Sequence, residues 1–240
     1  MSRRYIIILS IIALVAIVLV ISNKPNSADD AIKERFVVAH PFDLEKIQGI
    51  SKYRSCMGHS YSGKTVDGVE EPDDRSLKHY IIPNDGVSEV DIFAPFDGEI
   101  SSVYFDNTRN NAQVWLTPNL ESGQKWSFVF FHINLDEGFE DGSSVIAGQK
   151  IGKAKINQGG NFDIALKQGS GFFGPVLAPV YEYFSEELLA DYSARGASEQ
   201  DLIIPKLVRD QNPCPIIPGT EGRDAMFPSS IANEGVLQLL

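Results

Sequence analysis

Residues 141–166 read DGSSVIAGQKIGKAKINQGGNFDIAL. The first half alternates Gly-centred turns with two short strand-like runs, in which glycine supplies the positive φ of a tight turn and alternating side chains bury one face. The same plan occurs upstream in residues 94–105, APFDGEISSVYF, where an Asp-Gly turn leads into an alternating run. Around this pair stand HYIIP, QVWLTP, WSFVFFHINL and NFDIALKQ, each short, rich in β-branched and aromatic residues, and bounded by Gly, Asn, Asp or Pro. The pattern predicts a mainly β, antiparallel fold with its core at residues 78–168.

Outside this core the character changes. Residues 5–21, behind MSRR, form an uncharged apolar run. At about 1.5 Å per residue it approaches the roughly 30 Å of bilayer hydrocarbon. With Arg3 and Arg4 on its leading side, it reads as an N-terminal transmembrane helix, residues 1–22, single-pass, with the rest of the chain extracytoplasmic. A cleaved signal peptide is the alternative; the length of the run and the lack of a small-residue cleavage site stand against it. Residues 23–35 read as a linker, 36–77 as an N-terminal extension and long loop with a short helix at 43–50, 78–170 as the β domain, and 171–240 as a C-terminal helical extension and tail. In VYEYFSEELLADYSARG, Tyr181, Phe184, Leu188 or Leu189, and Tyr192 recur at helical spacing before Gly196. A second helix starts at Ser198, with Pro205 either near its first turns or breaking it, and the chain is irregular from Asn212.

A net charge of -11 repels phosphate backbones, and no basic run offsets it, which excludes nucleic acid as a partner. The cysteines, Cys56 and Cys214, both lie in the outward part, where an oxidising compartment permits a disulfide; two separate buried thiols are the other reading.

The two turn-and-strand units resemble the barrel-sandwich hybrid shared by biotinyl and lipoyl domains, membrane-fusion adaptors and the LytM- or lysostaphin-like M23 metallopeptidases. In the M23 peptidases a histidine and an aspartate four residues later bind zinc, a further histidine follows an aromatic strand, and an H-x-H pair follows the second unit. The resemblance covers about ninety residues of the chain. It puts His79 of RSLKHYIIPND in the first place, His132 of FVFFHINL in the second, and Asn161-Phe162-Asp163 in the third. It implies a duplicated, M23-like β domain and a site in which His79, Asp85 and Asp163 hold zinc while His132 is catalytic. The chain departs from the pattern in two places. The position four after His79 is Pro83, leaving Asp85 two residues further on, and the H-x-H pair is replaced by Asn161 and Asp163. A catalytic zinc needs three protein ligands and an open position for water.

The expected function is therefore a degenerate, non-proteolytic M23-like module, a pseudoenzyme anchored at the cell envelope. It would bind or regulate an envelope glycan, peptide or protein. Alternatives are a metal-dependent hydrolase with an altered ligand set and a membrane-fusion-type adaptor; the stretch 106–141 lacks the heptads of an adaptor hairpin.

The bland readings stand beside these. Alternation puts Phe128, Phe130 and His132 on one face of their strand and Val129, Phe131 and Ile133 on the other. Asp163 shares a face with Asn161 and Ala165 and reads as solvent-facing. His59, in the small polar loop CMGHSYSG, is suited either to a ligand or to water. Trp115 and Trp126, with Tyr104 and Phe105, read as core packing ahead of a stacking groove.

Overall fold

In chain order the strands are β1 (Ile47–Ser51), β2 (Gly63–Lys64), β3 (Glu70–Glu71), β4 (His79–Pro83), β5 (Glu89–Phe93), β6 (Gly98–Asp106), β7 (Asn111–Pro118), β8 (Trp126–Leu135), β9 (Ser144–Val145), β10 (Lys150–Lys155), β11 (Phe162–Gln168), β12 (Val176–Ala178) and β13 (Val236–Gln238). Two short helices follow the β region, α1 (Glu186–Ala194) and α2 (Lys206–Gln211). The computed structural model describes residues 34–240 except 157–160, 170–174 and 223, with the backbone alone at 232–234. The apolar run at 5–21 and nearly all of the linker lie outside the described residues. Among the described residues no helix is long and apolar enough to cross a membrane.

The fold is mainly β. Eleven of the described strands make one sheet in the order β13-β1-β4-β11-β8-β7-β6-β9, with β12 on β11 and β10 joining β8 to β5; β2 and β3 form a separate hairpin. The pairings between these strands are antiparallel. One sheet face is apolar: Ile81, Val114, Leu116, Phe128, Phe130, Phe162, Ile164 and Leu166 bury against Phe42, Tyr181 and Phe184. Each such fully buried side chain contributes about 1.5–3 kcal/mol of transfer free energy, before conformational entropy is set against it.

The two look-alike units fold against each other. Gly98 and Glu99 of β6 pair with Val145 and Ser144 of β9. Ala94 N–H donates to Gln149 O, and Gly148 N–H donates back to Ala94 O. Gly98 and Gly152 occupy matching positions: a Cβ on Gly98 would lie 2.2 Å from Thr117 O, and one on Gly152 2.2 Å from Asn134 O. Neither has a positive φ. At Gly98 the requirement is thus close approach of a neighbouring backbone, in place of the expected turn conformation.

Three local expectations are corrected. Residues 43–50 form only a 3-10 turn, Leu44–Lys46, before β1, because β1 is held between β4 and β13 and this pairing overrides local helix tendency. The single helix expected over 180–196 is split into a 3-10 turn, Val180–Tyr183, and α1. The break falls where Phe184 bridges Val37 and Ser185 N–H donates to Val37 O; Ser185 Oγ then caps α1 by accepting from Leu188 N–H. Pro205 lies directly ahead of α2, where its missing N–H costs nothing. The tail is not irregular throughout, since it ends in the 3-10 turn Ser229–Gly235 and in β13.

Cys56 and Cys214 are joined, with an S–S distance of 2.04 Å across 158 residues, so the loop before β2 is tied to the tail. The hairpin β2–β3 is held by Glu71, whose fully buried carboxylate takes Arg54 Nε and Arg75 Nη1, each at 2.8 Å.

Candidate functional site

The polar groups collect on the sheet face opposite the core. A bulge decides which side chains reach it. Ala112 pairs with Ile133 and Val114 with Phe130, so Gln113 alone stands opposite both Phe131 and His132. His132 takes up the extra residue with φ +63, and alternation is broken there. Ile133 joins Phe128 and Phe130 in the core, while Phe131 and His132 line one cavity of about 490 Å³ on the outer face, with Asn111 and Gln113. This corrects the expectation that His132 shares a face with Phe128 and Phe130.

Asp163 of β11 pairs with Phe131 of β8 and with Tyr80 of β4. Its side chain is 1% exposed, which corrects the solvent-facing reading. Lys78 Nζ stands 2.7 Å from Asp163 Oδ2, as an ion pair without hydrogen-bond alignment. The ammonium lies 3.8 Å from the Phe131 ring centroid and 4.5 Å from that of Tyr61, so two aromatic faces cover it. Burial pushes the Tyr61 phenol up, and the Asp163 charge adds to this.

His132 Nε2 is 3.7 Å from Asp163 Oδ1. The same nitrogen accepts from Arg109 Nη1 at 3.2 Å, and Nδ1 is 3.5 Å from Asn111 Oδ1. Arg109 Nη1 is also 3.5 Å from Nδ1 and so spans both ring nitrogens; with Nδ1–H directed to Asn111, Nε2 is the acceptor. Burial holds the imidazole below its ordinary value; Asp163 works against this, and Arg109 and Lys78 work with it.

The remaining sequence candidates lie elsewhere. His79 is fully buried and faces the core: Nδ1–H donates to Ser51 O at 2.8 Å, and the ring meets Tyr181 edge-on at 4.8 Å. Burial lowers its pKa to about 4. Asp85 lies beyond the end of β4, exposed, and accepts from Gln48 Nε2 at 3.4 Å. Asn161 is half-buried immediately ahead of β11. His59 turns back on its own loop, with Nδ1 2.7 Å from Ser60 O and its N–H donating to Tyr80 Oη. The structure thus brings His132 to Asp163, and Lys78 stands beside them where His79 was expected. The parity of KHYII carries this signal: if Ile81 is core, so is His79, and Lys78 turns outward.

Trp126 belongs to the core, 3% exposed, but Trp115 does not. Trp115 lies on the outer face with Val129, Phe131 and Ala165, beneath Lys167 Nζ at 4.1 Å from its ring centroid. Tyr104 and Phe105 are exposed, at 60% and 57%.

The residues present do not suit a divalent metal. The carboxylate that would serve as a ligand is engaged by a buried ammonium, a guanidinium occupies the imidazole nitrogen facing it, and His79 points to the opposite side of the sheet. Two cations would repel a third where three neutral or anionic donors are needed. Among the described residues no group of three or more His, Cys, Asp or Glu side chains converges.

No family model and no curated protein matches the chain. Among solved structures it is similar to the solution structure of lysostaphin, with a TM-score of 0.36 and 15% sequence identity over 57% of this chain. The chain spans 57% of the length of that protein.

Proposed function

We propose that this chain is a non-proteolytic, M23-like barrel-sandwich module, tethered by its N-terminal helix on the outer side of a membrane. There it binds or regulates a peptide, glycan or protein of the cell envelope. The observation that carries the reading is the Lys78–Asp163 pair at 2.7 Å. An ammonium stands against Asp163, the carboxylate that here takes the place of a zinc-binding histidine, and aromatic rings cover it. With Arg109 on His132 Nε2, the imidazole that would act as base is already engaged as an acceptor. The hydrogen-bonded pairing of the two look-alike units supports the hybrid architecture. The stretch expected to form a helical hairpin in an adaptor is here taken by β7 and β8. The Cys56–Cys214 bond suits an oxidising compartment.

Calorimetric titration of the chelator-stripped, full-length protein with zinc tests the reading. The expected outcome is no stoichiometric binding and no release of fragments from wall peptides. Tight one-to-one zinc binding abolished by Asp163→Asn, or metal-dependent cleavage, would overturn it.

A further inference from the structure

On the outer face of β11, Asp163, Ala165 and Lys167 follow one another in register. Asp163 is neutralised by Lys78. Lys167 is not: among the described residues its ammonium meets no carboxylate, only the rings of Trp115 at 4.1 Å and Tyr61 at 5.4 Å. In a chain of net charge -11, an unmatched cation on aromatic faces is a specific feature. Two cavities lie in succession beside Trp115 on this face, with Tyr104 in the wall of both. One, of about 540 Å³, is lined by Tyr104, Trp115, Thr117 and Ser127, and the other, of about 490 Å³, by Phe131 and His132.

We propose that Lys167, seated over Trp115 and Tyr61, anchors the terminal carboxylate of a peptide that lies extended along this face. Lys125 borders the first cavity together with Glu99, and Asp106 borders the second, so beyond Lys167 the charges of the two linings sum to one negative; one ammonium in that setting suits a monoanion and disfavours a dianion such as phosphate. Two aromatic-walled hollows in succession from Trp115, beneath the ammonium, suit the alternating side chains of an extended chain whose end is held there. Burial lowers the Lys167 ammonium to about 8, with repulsion from Lys78 adding to it; a bound carboxylate would oppose both effects. The other groups on the face are the Lys78–Asp163 pair, Tyr61 and Tyr80, both pushed up chiefly by burial, His132, pushed down chiefly by burial and in contact with Arg109, and Glu99, Lys125 and Asp106 at the cavity borders.

The proposal rests on the reading of this face as one that binds and does not cleave. It is tested on the full-length protein by tryptophan fluorescence, Trp115 being the reporter beneath Lys167. The probes are acetyl-trialanine with a free carboxylate and the same peptide as its C-terminal amide. At a pH of about 7 the acid should bind at least about tenfold more tightly than the amide. The preference should vanish at a pH of about 9.5, above the Lys167 titration. Lys167→Met should remove it, and Lys167→Arg should retain it at both pH values, since guanidinium does not titrate there. Equal affinity for acid and amide, binding of neither, or a preference that survives Lys167→Met would overturn the proposal. Glucuronate binding as tightly as the peptide would overturn the peptide assignment. Failure here leaves the zinc titration unaffected, because that experiment reads Lys78 and Asp163.

Discussion

His132 holds the least comfortable backbone in the site. At φ +63 a residue with a Cβ is strained by about 1 kcal/mol or more, and glycine is not. His132→Gly should therefore unfold in urea at or above the wild-type midpoint, and His132→Ala about 1 kcal/mol below His132→Gly. Equal midpoints for the two would mean that the bulge does not place its extra residue at this position. His79 gives the opposite kind of test, because its burial acts on the charge. Its folded pKa of about 4 lies below the ordinary 6.5, so the unfolded chain takes up the proton first. This contribution to stability is complete above the unfolded value and is lost as pH falls from about 6.5 toward about 4, by an amount on the order of 3 kcal/mol. His79→Phe should flatten the pH profile of unfolding in that window while leaving the carboxylate titrations below it.

Lys78, directly ahead of β4, meets Asp163 of β11, and the pair is the chemistry of that junction. Removing one member strands a buried charge. Lys78→Met should cost about 3–5 kcal/mol, and Lys78→Met with Asp163→Leu should recover most of it, as apolar replacement of a whole buried pair commonly does. A double-mutant cycle read by denaturant unfolding checks this, and additive losses would show that the two side chains are not coupled. At this scale much was legible beforehand. HYIIP, QVWLTP and WSFVFFHINL all became strands, because their β-branched and aromatic alternation is a local property. Residues 43–50 and the tail depart from their local pattern for one reason: β1 and β13 exist through pairing with each other and, for β1, with β4, which lies some thirty residues away in the chain. The 180–196 helix has the right apolar spacing but gives up its first turn because Phe184 and Ser185 are claimed by Val37.

For the whole molecule, the Cys56–Cys214 bond closes a loop of 158 residues that contains nearly all of the sheet. Cys56 begins the segment that carries Tyr61 over Lys78, so the bond and the outer face are mechanically related. Reduction, or Cys56→Ser with Cys214→Ser, should lower unfolding free energy by about 3–5 kcal/mol, read by urea denaturation with and without reductant. An unchanged midpoint would show that the loop and tail are held without it. In the cysteine-free protein, Trp115 fluorescence should also become more quencher-accessible as Tyr61 loosens.

The amino-acid sequence by itself determined the strand-rich core, the duplicated turn-and-strand plan and the apolar face, since side-chain period and glycine placement are written within each short segment. It also carried, in the parity of KHYII and FDIALK, which side Lys78, His79 and Lys167 face. Only the tertiary structure decided that His132 turns to Asp163 and that Lys78 neutralises it. The first depends on a bulge, and the second on the register between strands far apart in the chain; neither is specified by any single run of residues.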